Sequence, residues 1–103
     1  MGKTITYNYV LGLEDGKRMW ELPFHRWEEL RSSVNSLLMA SGKTKGIFYI
    51  FGQTGIAQNK IRRELEKAGL LYRKIFIDGK ILSVERSCLK LQANLEGNIQ
   101  IIP

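Results

Sequence analysis

This chain has little of what staples small proteins together. Its one cysteine, Cys88, cannot form an internal disulfide. That fits a reducing setting, and an intracellular, cytoplasmic location is the expectation. Its one histidine, His25, has no second histidine, cysteine pair or carboxylate at ligand spacing, so neither a metal nor a cofactor is expected. No apolar run approaches the roughly 18 residues needed to span a bilayer. The opening "MGKTITYNYV" lacks the apolar core of a signal peptide, so no membrane partner is expected. What is there is 103 residues, 44% of them hydrophobic and 25% charged. That length fits one domain, 1–103, and suffices for a core without covalent or metal staples.

Positive charge exceeds negative by 6, and the excess is uneven. Residues 1–42 hold five Lys/Arg against five Asp/Glu. Residues 43–90 hold eleven against four. A basic field of this kind favours polyanions: DNA, RNA, an anionic membrane surface or an acidic protein.

Residues 4–22 read as a β-hairpin. Ile5, Tyr7, Tyr9, Leu11 and Leu13 alternate with Thr6, Asn8, Val10 and Gly12. An Asp15-Gly16 turn would set Leu13 against Arg18, Leu11 against Trp20, Tyr9 against Leu22 and Glu14 against Lys17. Residues 23–41 read as a helix that starts at Pro23 and stops at Gly42, with Phe24, Trp27, Leu30, Val34, Leu37 and Leu38 on its apolar face. "GIFYIFG" (46–52) is a continuous apolar run, expected as a central strand covered on both faces. Residues 56–68 read as a second helix that buries Ala57, Ile61, Leu65 and Ala68. It carries Lys60, Arg63 and Lys67 as a second stripe, with Arg62 beside it, and Gly69 ends it.

A second hairpin follows over 72–87 with Asp78-Gly79 at its tip. Leu89, Leu91, Ala93 and Leu95 then alternate inward, and "GNIQIIP" gives a turn and room for a last short strand. The expected fold is α+β in the order ββαβαβββ, with two helices packed on a largely antiparallel sheet.

"TGIAQNKIRRELEKAGLL" with its Gly-tipped hairpin resembles the recognition helix and wing of winged-helix DNA-binding proteins, over about a third of the chain. The resemblance implies base or backbone contacts from Gln58, Asn59, Arg62 and Arg63, and wing contacts from Lys74 and Lys80. A strand precedes this helix, where that family has a helix. Gly52 to Gly55 forms G-x-x-G, which resembles the backbone-clamping loop of RNA-binding KH domains. "SGKTKG" lacks the first glycine of a P-loop, because position 37 is Leu.

No constellation supports catalysis, so the expectation is a small basic, non-enzymatic nucleic-acid-binding protein, a regulator of the winged-helix-like type. Phosphate contacts would come from Lys60, Arg62, Arg63, Lys67, Arg73, Lys74 and Lys80. Gln58 and Asn59 would position the backbone or touch bases, and Tyr72 or Phe76 would stack. Whether Tyr72 and Phe76 are site or core depends on which hairpin face is covered. The alternative is an interaction module or inhibitor that docks on an acidic protein, alone or as a homo-oligomer.

Overall fold

Alternation and turn chemistry put the chain into seven strands and two helices in the computed structural model, which describes residues 6–103. The expected start of the first strand at Thr4 and Ile5 lies outside those residues. The elements are β1 (Tyr9–Asp15), β2 (Arg18–Phe24), a 3-10 turn (Trp27–Glu29), α1 (Leu30–Ser41), β3 (Lys45–Gly52) and α2 (Gly55–Lys67). Then come β4 (Tyr72–Ile77), β5 (Lys80–Glu85), β6 (Cys88–Asn94) and β7 (Ile99–Ile102). The short "GNIQII" strand is thus present as β7, and both helices pack on an antiparallel sheet.

The main sheet runs β2-β1-β3-β6-β7, with every neighbouring pair antiparallel. Its register lines up Leu11, Ile50 and Leu89 in one row and Leu13, Phe48 and Leu91 in the next. These six side chains are fully buried, and Val34, Leu38, Ile61 and Leu65 from the helices cover them. Each such side chain contributes about 1.5–3 kcal/mol by leaving water. At one corner the Tyr9 ring stacks on Phe24 at 5.0 Å between centroids.

Several details differ from the sequence reading. In the first hairpin the register is displaced by two residues. Asp15 pairs with Arg18, Leu13 with Trp20 and Leu11 with Leu22. The loop is therefore Gly16-Lys17, and only Gly16 has a positive φ, of 61°. Glycine at the first loop position is the type II′ arrangement. A shift of two keeps every side chain on its expected face.

Pro23 does not open a helix. It lies in β2, an edge strand, where a missing N–H is tolerated. The helical segment begins instead at the 3-10 turn, where the Arg26 N–H donates to Glu29 Oε1 at 3.3 Å. Ala68 is exposed, because α2 ends at Lys67 and Gly69 closes it with a φ of 71°. Leu95 is also exposed, one residue past the end of β6.

The differences in the sheets matter most for function. β3 is central, but both helices lie on the Phe48/Ile50 side. The opposite face is open. Tyr49 and Ile47 are half-buried there, and Phe51 is 41% exposed. β4 and β5 do not join the main sheet at all. They form a separate two-stranded sheet, which leaves the body at Leu71 and returns at Arg86, where the Arg86 N–H donates to the Leu71 carbonyl at 2.7 Å.

A hydrogen-bonded knot holds α2 to the sheet. The Thr54 hydroxyl accepts from the Ala57 N–H at 3.2 Å, which caps α2, and donates to Asn8 Oδ1 at 2.9 Å. Asn8 in turn donates to the His25 carbonyl at 2.8 Å, so one polar cluster joins the start of α2 to both ends of the first hairpin.

Candidate nucleic-acid interface

The β4–β5 arm is built by its turn. Asp78 and Gly79 both have positive φ, 49° and 75°, as a type I′ loop requires, and Ile77 pairs with Lys80. Alternation then places Tyr72, Lys74 and Phe76 in one row along β4. Across from them on β5 stand Glu85, Ser83 and Ile81. The arm packs so little against the body that both of its faces meet solvent. Phe76 is 72% exposed and Tyr72 57%. The arrangement in which helices cover both hairpin faces, with Phe76 and Ile81 in the core, is not the one the chain adopts.

Gln58 and Asn59 lie exposed early in α2, and Gln58 Nε2 donates to the Gly52 carbonyl at 3.4 Å. Together with Gln53, Arg62 and Arg86 they line an open cleft of about 560 Å³. Tyr72 and Arg73 line a second cleft of about 580 Å³ at the base of the arm, facing Tyr49, Arg86 and Lys90. The end of β5 and its link to β6, Glu85 to Ser87, border both clefts. Lys74 and Lys80 stand further out, exposed on the arm. A third cleft, near Arg31 and Lys45, shares none of these residues.

The cations of α2 are less available than their number implies. Lys60 pairs with Glu64 at 3.1 Å and also lies over the Trp27 ring, 5.3 Å from its centroid. Lys67 reaches the same Glu64 at 3.6 Å. Arg62 Nε pairs with Glu85 at 3.1 Å, which ties the helix to the arm. Among the described residues, Arg63, Arg73, Lys74, Lys80, Arg86 and Lys90 make no ion pair. The Lys90 ammonium lies over the Tyr49 ring, 5.9 Å from its centroid.

The structure therefore brings Gln58, Asn59 and Arg62 together, and Tyr72 with Arg73. It sets Lys60, Arg63 and Lys67 apart from both clefts. Sequence reasoning missed Arg86, Lys90 and Tyr49. Lys90 had a signal, since it alternates outward between Leu89 and Leu91. Tyr49 was hidden inside a continuous apolar run.

Among the described residues, no three His, Cys, Asp or Glu side chains gather as a metal-holding group, and no helix is long and apolar enough to cross a membrane. Exposed rings beside cations without acidic partners present stacking surface and positive charge together. Comparison with protein-family models, with curated proteins and with solved structures gave no match.

Proposed function

We propose that this chain is a non-enzymatic, cytoplasmic nucleic-acid-binding protein that works through its arm and the two clefts at the arm's base. The observation that carries the reading is the arm itself. Tyr72 and Phe76 are held out in solvent beside Arg73, Lys74 and Lys80, none of which has an acidic partner among the described residues. These cations, with Arg86 and Lys90, would displace counterions from phosphates. Gln58, Asn59 and Gln53 offer amides to backbone or base edges. Lys60, Arg62 and Lys67 contribute less, because Glu64 and Glu85 already engage them.

Fluorescence anisotropy against random duplex DNA, single-stranded DNA and RNA at low and moderate salt tests this. Binding should weaken steeply with salt. An Arg73/Lys74/Lys80→Ala variant should lower the log–log salt slope by about 2–3, at about 0.7–0.9 per phosphate neutralised. Absence of binding at low salt, or a slope that the variant leaves unchanged, would refute the reading.

A second reading has one observation in its favour. Ile77 and Leu82 are also exposed, on the arm face opposite Phe76 and Ile81, and offer apolar surface suited to an acidic protein with a hydrophobic centre. Such a complex would be far less sensitive to salt.

A further inference from the structure

The nucleic-acid reading leaves open which form of nucleic acid is taken. We propose that the ligand is a single strand, with bases stacked in turn on Phe76, Tyr72 and Tyr49 along a track from the arm into the cleft at its base. This inference rests on the function proposed above.

Three observations lead to it. The first is the row on β4. Tyr72 and Phe76 share one face with Lys74 between them. At about 3.3 Å per residue the two rings stand about 13 Å apart along the strand, with the ammonium midway. A ring, a cation and a second ring in line match a base, a phosphate and a further base of an extended strand.

The second is continuity. Tyr72 belongs both to the row and to the cleft at the arm's base, whose lining also includes Tyr49 with Lys90 over its ring. Arg73 and Arg86 border the same cleft, so the cations continue where the row ends. Among the described residues that line it, Glu85 is the one acidic side chain, and Arg62 already engages that group.

The third is what a duplex would leave unused. Paired bases keep their faces stacked on one another, so exposed rings gain nothing from them. A duplex binder draws on cations aimed at two backbones, yet Lys60, Arg62 and Lys67 of α2 are held by carboxylates. An unpaired strand can splay its bases onto each ring and needs only one line of positive charge.

The test uses the full chain, titrated by anisotropy with an oligothymidylate, an oligouridylate and a DNA duplex of equal length. Either single strand should bind at least about tenfold more tightly than the duplex, and the two oligomers separate DNA from RNA. Phe76→Ala and Tyr72→Ala should each weaken single-strand binding by roughly 5- to 150-fold. Phe76→Leu, which keeps bulk but loses the ring, should lose as much, and Phe76→Trp should keep the affinity. Salt slopes should stay unchanged in all four, because no cation is removed. Both positions are exposed, so melting temperatures should match the parent and separate a binding defect from a folding one. Equal affinity for duplex with silent ring variants would overturn the single-strand inference and leave the proposed function standing. No binding to any of the three would overturn both.

Discussion

Gly52 is the residue whose replacement tests the packing of this fold most sharply. It ends β3 directly beneath the first turn of α2. A Cβ added there would stand 2.7 Å from the Gln58 nitrogen, 3.0 Å from the Ala57 carbonyl carbon and 3.0 Å from the Gln58 Cα. All three are backbone atoms, so no side chain can swing aside. Comfortable contact begins near about 3.5 Å, so strand and helix must part by roughly 0.5–1 Å. That displacement would pull on Ala57, Ile61 and Leu65, all buried in the core. Overpacking of this kind costs about 1–3 kcal/mol, and a rigid neighbour puts Gly52→Ala at the upper end. At about 4–8 °C per kcal/mol for a domain near this size, melting should fall by about 12–24 °C. Gly55→Ala is the control. Gly55 starts α2 with nothing within 4 Å of its would-be Cβ and no positive φ, so alanine there should be neutral or stabilise by up to about 1 kcal/mol. Thermal unfolding followed by circular dichroism reads both. A Gly52→Ala protein that melts within about 2 °C of the parent would refute the close approach. If Gly55→Ala kept its stability yet lost nucleic-acid affinity, the G-x-x-G loop would be a backbone clamp rather than a packing device.

Two further predictions concern the polar contacts. Thr54→Ala removes the cap of α2 and the bond to Asn8 together, and urea unfolding should show a loss of about 0.5–2 kcal/mol with an unchanged m-value. Asp15 lies 3.0 Å from the Lys43 ammonium, whose hydrogen bond holds its carboxyl below the ordinary aspartate value. Because the folded value is depressed, the stabilisation is fully present above the unfolded value near 3.8 and fades as pH falls through the folded one. Asp15→Asn should therefore flatten the acid limb of the stability curve below about pH 4, measured by denaturant melts at stepped pH; an acid limb identical to the parent's would discount the pair.

How much was legible beforehand depended on whether the signal was local. Asp78-Gly79 announced the arm's turn because few residues accept positive φ at both loop positions, and the register followed from that. The first hairpin was displaced because Asp15-Gly16 and Gly16-Lys17 both place glycine in the loop, and only the strand partners choose between them. Pro23 looked like a helix start, since local sequence does not reveal that β2 is an edge strand. Alternation in 72–87 declared two strands without declaring which sheet they would join, so the exposure of Tyr72 and Phe76 was undetermined. The weakening of the α2 stripe was half readable. Glu64 lies four residues after Lys60, a spacing that brings charges together on a helix. The Arg62–Glu85 contact spans a helix end and a whole hairpin, which no local pattern encodes.

The way the arm is attached has a consequence for how the chain can vary. Leu71 and Arg86 sit side by side, so everything between them leaves and returns through one hydrogen-bonded doorway, with the exposed Arg62–Glu85 pair beside it. That excursion lies inside the loop that the β3–β6 pairing must close. Doubling such a loop costs only about 0.6 kcal/mol, so the main sheet is nearly indifferent to the arm's length. With little core to serve, residues 72–85 are free to follow whatever they touch. A graft that swaps this segment for a different Gly-tipped hairpin should leave the body folded and carry a new binding preference with it.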